Sequence, residues 1–92
     1  MDALPAQYFL AQNHPNPFNP STIIKFELPV SSEVRLSVCD LLGREVAVLV
    51  NERRGAGIHQ LTFDASRLSS GLYLYRLQAG DFVATKKLIL LK

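Results

Sequence analysis

The sequence has no tryptophan and a single cysteine, Cys39. One thiol cannot close an internal disulfide, so neither an oxidising nor a reducing compartment is specified. Long apolar runs are also missing: runs such as Ala47–Val50 and Leu88–Leu91 fall far short of the roughly 20 residues that a membrane-spanning helix requires. Charge of one sign is not concentrated either. The formal net charge is +2, and the lysines and arginines are scattered along the chain, which gives no basic stripe of the kind that nucleic acid selects. The motifs that carry catalysis or metal binding are absent as well: there is no Gly-x-Ser-x-Gly elbow, no His-Glu-x-x-His, no metal-spaced cysteine pair and no Asp-x-Asp-x-Asp-Gly calcium loop. His59, in phase with Leu61 and Phe63, reads as a packed sheet histidine, and His14 sits among prolines. Cys39 lies in the outward phase beside Ser37 with no histidine placed nearby. Asp40, Asp64 and Asp81 fall at strand ends, where solvated turn carboxylates are the default. The expectation is a protein without enzymatic activity, cofactor or metal, and without a nucleic-acid or small-molecule partner. Met1-Asp2-Ala3-Leu4-Pro5-Ala6 lacks the basic and apolar regions of a signal peptide. The sequence is therefore expected to be either a cytoplasmic protein or a fragment whose export signal lies upstream.

What is present is hydrophobic content of 48% over 92 residues, enough for one domain with one modest core. Residues 1–21 read as an extended lead-in. Pro15, Pro17 and Pro20, interleaved with asparagines, deny a strand ladder its donors, while Tyr8, Phe9, Leu10 and Phe18 offer anchors that pin the segment to the domain. Covering a sheet edge is the favoured role and a recognition loop the rival. Residues 22–92 then read as strand after strand. Ile24, Phe26 and Leu28 alternate with Lys25 and Glu27, and Val34, Leu36 and Val38 with Glu33, Arg35 and Ser37. Asp40–Gly43 makes a hairpin turn with Gly43 left-handed. Arg44–Val50 is apolar in both phases and is the best candidate for an interior strand covered on both faces. Asn51–Gly57 reads as a polar loop, Ile58–Asp64 as a strand, and Asp64–Gly71 as a corner.

The final stretch carries the most information. Tyr73, Tyr75 and Leu77 share one phase, Ala79-Gly80 supply a turn, and Phe82–Leu91 run back apolar. About seven short strands with no amphipathic helix between them specify an all-β, antiparallel sandwich. Leu68, Gly71 and Tyr73 at a strand entrance match the tyrosine corner of immunoglobulin-like and fibronectin-III-like domains.

Four segments in order carry a family resemblance: Leu10–Phe26 with its Asn-His-Pro-Asn-Pro-Phe-Asn-Pro core, Val38-Cys-Asp-Leu-Leu-Gly-Arg-Glu-Val46, Leu68-Ser-Ser-Gly-Leu-Tyr73, and Thr85-Lys-Lys-Leu-Ile-Leu-Leu-Lys92. Together they resemble the type A C-terminal sorting domain of the type IX secretion system over residues 8–92, with a related architecture in the immunoglobulin-like module of flagellar hook-capping proteins. Cys39 departs from the tyrosine usual in the family. The resemblance implies a domain that directs a cargo protein across the outer membrane, by way of the periplasm, to the cell surface or medium. Its implied partners are an outer-membrane translocon, a sortase-like peptidase and an upstream cargo domain. The implied recognition residues are Gly71, Tyr73, Lys86, Lys87 and Lys92, on a last strand that is basic outside and apolar beneath. The lysines read equally as gatekeepers against edge-to-edge aggregation, and Gly71 and Tyr73 as requirements of the backbone and the corner. A different class of function, an ancillary carbohydrate-binding or spacer sandwich, requires Tyr8, Phe18, Tyr73 or Tyr75 on an open face.

Overall fold

A computed structural model describes residues 4–92; Met1, Asp2 and Ala3, and with them half of the segment read for an export signal, lie outside the described residues. Seven strands follow in sequence: β1 (Phe9–Leu10), β2 (Ser21–Leu28), β3 (Ser32–Cys39), β4 (Glu45–Arg54), β5 (Gly57–Asp64), β6 (Gly71–Ala79) and β7 (Phe82–Leu90). They form two antiparallel sheets ordered β1-β2-β5 and β4-β3-β6-β7. The period-two pattern dictates which side chains meet between them, because alternate residues of a strand face opposite ways. Ile24, Phe26 and Leu28 of β2 are wholly buried against Leu36 and Val38 of β3, Tyr75 and Leu77 of β6, and Leu88 and Leu90 of β7. This is the expected all-β sandwich of seven strands.

The turns follow their local chemistry. Gly43 adopts φ +84°, and Asp40 closes its hairpin by accepting the amides of Leu42 and Arg44 on one carboxylate oxygen. Gly80 adopts φ +56° between the paired residues Ala79 and Phe82. The final turn is therefore Gly80-Asp81, one residue later than the expected Ala79-Gly80.

Two expectations fail on the β4 side. Arg44–Val50 does not become an interior strand. β4 lies at the free edge of its sheet, and Val46 and Val48 are 38% and 45% exposed. Its doubled apolar phase has another cause: register shifts opposite Leu36/Ser37 and Val38/Cys39 break the alternation, so neighbouring apolar residues leave the regular face pattern. The polar stretch after Val50 is not all loop either. β4 continues through Arg54, because Glu33 and Arg53 pair across the strands and leave Gly55 and Ala56 as the connection.

The lead-in forms a seam between the sheets. On one side Ala11 donates its amide to Lys25, and His14 exchanges both backbone hydrogen bonds with Ile23 of β2. On the other, Phe18 bridges Leu90, donating to the Ile89 carbonyl and accepting from the Leu91 amide. Asn16 Oδ1 accepts the Ile89 amide, and Gln12 donates to the Lys87 carbonyl. Asparagine and glutamine side chains thus supply hydrogen bonds that the prolines cannot, and Phe18 seals the seam as a buried ring beside Phe63.

Candidate functional site: the C-terminal strand and its corner

β7 pairs along its whole length with β6, from Gly71↔Leu90 to Ala79↔Phe82. Its other edge is divided. The outer backbone groups from the Lys87 carbonyl to the Leu91 amide are occupied by the lead-in. Among the described residues, Val83, Thr85 and the Lys87 amide have no partner on that edge. The last strand is therefore hydrogen-bonded to the lead-in along its C-terminal half, whereas along its N-terminal half β1 and Tyr8 run beside it without a hydrogen bond to its backbone.

Gly71 opens β6 at φ +155°, a conformation that L side chains rarely adopt, while the space around it is empty. Glycine is required there by the backbone rather than by a close neighbour. Tyr73 is buried and donates its hydroxyl to the Ser69 carbonyl at 2.6 Å, which completes the tyrosine corner at the start of the sixth strand. Lys86 and Lys87 point to opposite faces. Lys87 is exposed on the outer face opposite Leu74, whereas Lys86 stands in the inward phase opposite Tyr75 and is half-buried. The expected strand, basic outside and apolar beneath, is thus basic on both sides at this point, because adjacent lysines in a strand cannot share a face. Lys92 lies beyond β7 and is tied to the corner: its amide donates to Ser70 Oγ at 2.9 Å and its ammonium to the Ser66 carbonyl at 2.6 Å. The Ser66 amide and hydroxyl, helped by the charges of Arg67 and Lys92, hold the Asp64 carboxyl below the usual carboxylate range. The corner thus gathers Asp64, Arg67 and Lys92 around the Ser66 and Ser70 hydrogen bonds.

The structure brings Gly71, Tyr73 and Lys92 together at one end of the sandwich and sets Lys86 and Lys87 further down β7 on opposite faces. Sequence reasoning missed Asn13, Asn16 and Gln12, whose side chains tie the lead-in together and to the last strand. Their placement among prolines was the available signal.

The aromatic residues required for a sugar platform are spent elsewhere. Tyr73, Tyr75 and Phe18 are buried, and Tyr8 stacks on Phe82 with ring centroids 5.2 Å apart. An open hollow of about 260 Å³ between Glu33, Arg35, Asn51 and Gln78 is smaller than the roughly 300–1,000 Å³ typical of ligand pockets. No cluster of three or more potential metal ligands occurs among the described residues.

Three strands over four, with a tyrosine corner at the start of the sixth, define a small immunoglobulin-like sandwich. The family model for the secretion-system C-terminal sorting domain matches residues 13–91, and the chain belongs to that family. It carries a C-terminal sorting signal for type IX secretion, the mark of a secreted or cell-surface cargo protein. Comparisons with curated proteins and with solved structures gave no match.

Proposed function

We propose that the domain directs an upstream cargo protein through the type IX machinery across the outer membrane by protein recognition, without catalysis. Its partners on this reading are the outer-membrane translocon and a sortase-like peptidase that removes the domain. The family match over residues 13–91 carries the reading. The recognition role expected of Gly71, Tyr73, Lys86, Lys87 and Lys92 divides on physical grounds. Lys87, exposed on the outer face and without an ionic partner among the described residues, suits direct contact with a receptor segment. Gly71, Tyr73 and Lys92 suit a supporting role, since their groups are committed to the corner, and Lys86 contributes from the inner face.

The test is a secretion assay. The chain is fused behind a periplasmically targeted fluorescent reporter in a type-IX-competent host, with a translocon-deficient strain as control. Export that requires the translocon supports the proposal. A folded reporter that stays periplasmic in both strains refutes it.

A further inference from the structure

The exposed large apolar side chains are distributed unevenly. On the outer face of the three-stranded sheet they stand apart: Phe9 and Ile58 share a row but are separated by Glu27. At one end of the four-stranded sheet they gather. Leu41 and Leu42, at the tip of the β3–β4 hairpin, are 62% and 79% exposed. The strand register places Leu72 opposite Ile89 on the outer face at that same end, with Leu74, the cross-strand partner of Cys39, next along β6. Val46 and Leu91 extend the group on either side. The tip is held in one shape, since Asp40 accepts the Leu42 and Arg44 amides and pairs with the Arg44 guanidinium at 2.8 Å. Two adjacent leucines in a fixed turn at this exposure cost solubility and contribute nothing to the core. Exposed large apolar side chains gathered at one end of a sheet in this way point to an interaction site.

The charges around the group indicate what covers it. Of the acids at this end, Asp40 pairs with Arg44 and Glu45 with Arg35, while Asp64 is taken up in the corner, where it accepts the Ser66 amide beside Lys92. Lys87, in the row beside Leu74, and Arg76, one row further along the same face, have no acidic partner among the described residues. The surface is apolar with an uncompensated cationic border, and its complement is an apolar cleft bordered by carboxylates. A lipid surface is a poorer fit. The apolar residues run from the hairpin tip down the sheet face through Leu72 and Leu74 instead of lying in one plane, and two ion pairs are set among them. The direction of the chain agrees. Tyr8 is anchored at the opposite end, on Ser32 and Phe82, so a cargo joined ahead of it leaves the hairpin end unobstructed.

We infer that the Leu41–Leu42 hairpin tip, with Leu72 and Ile89 beside it, is a docking surface that inserts into an acid-bordered apolar cleft of the export receptor. This inference rests on the sorting function proposed above. Because Leu41 and Leu42 are exposed, replacing them leaves the core intact. The test compares four reporter fusions of the full chain in the export assay: wild type, Leu41→Ser with Leu42→Ser, Leu42→Asp, and Ile58→Ser as an exposed apolar control on the other sheet. Thermal melts of the four chains check folding. The expected result is a roughly tenfold or greater loss of export for both hairpin variants, the scale of a truncated interface anchor, with melts and the Ile58→Ser variant unchanged. If the wild type is exported and the hairpin variants match it, the docking surface is wrong while the sorting function stands. If the wild type itself is not exported, the sorting function fails and the inference falls with it. Sedimentation with phosphatidylglycerol vesicles separates the remaining class of partner: wild-type binding that the hairpin variants lose would assign the surface to lipid and overturn the inference.

Discussion

The hydroxyl of Tyr75, near the middle of β6, donates to the backbone carbonyl of Ala11 at 2.6 Å, across 64 residues of sequence. The same oxygen accepts the Asn13 amide at 2.8 Å. One phenol thus satisfies two backbone groups of a lead-in whose prolines leave it few regular partners. Tyr75→Phe strands both groups in a buried position, and a loss of about 1–3 kcal/mol is expected. Chemical denaturation reads that loss directly. Faster proteolysis within residues 9–20 than elsewhere would place it at the lead-in, and a uniform loss of protection would contradict the assignment.

The same residue sets an alkaline limit. Burial pushes the Tyr75 phenol up to about 12, against the downward pull of the Asn13 amide. The folded state therefore favours the neutral phenol, while an unfolded tyrosine ionises near 10. The stabilisation is fully present below pH 10 and is lost as pH rises towards 12, at up to about 1.4 kcal/mol per pH unit. Melting curves of the wild type and of Tyr75→Phe are expected to converge over that window. Parallel curves would show that the phenol is not the group responsible.

Gly71 and Tyr73 predict a coupled result. Gly71→Ala meets no steric neighbour but must hold φ near +155°, at a cost of about 1–3 kcal/mol. Tyr73→Phe removes the bond to Ser69 and costs on the order of 1 kcal/mol. If both residues act through the corner, export falls only as far as the melting temperature does. A Tyr73→Phe chain that melts normally and fails to export would move the phenol into direct recognition.

Much of this arrangement was legible in the sequence, and the failures share a cause. Ile24, Phe26, Leu28, Val34, Leu36 and Val38 alternate strictly, and each is buried as its phase requires. Gly43 and Tyr73 signal their turn and corner through chemistry confined to a few residues. β4 defeated the same reasoning because its register shifts are a property of the pairing with β3, invisible along β4 alone. Lys86 and Lys87 side by side in sequence suggest one basic outer face, although adjacent strand residues must diverge. The bonds of Gln12 and Asn16 to β7 and of the Asn13 amide to Tyr75 of β6 join residues more than 60 positions apart, and no local pattern encodes such a distance.

The divergence of the two lysines makes them separable. Lys87 is exposed, and Lys87→Ala is expected to shift stability by no more than about 0.5 kcal/mol, the usual range for a surface site. Lys86 is half-buried in the inward phase of β7, a position at which a lysine stem covers apolar surface while its ammonium stays in water. Lys86→Ala therefore lowers the melting temperature through lost packing, and Lys86→Met, which keeps the stem, restores it. In the export assay the order reverses if Lys87 contacts the receptor: Lys87→Ala loses export at an unchanged melt, while Lys86→Met exports normally. Export that survives Lys87→Ala would leave that lysine only its role as an edge-strand gatekeeper. Slower aggregation of the wild type than of Lys87→Ala at high concentration would then be the signature to measure.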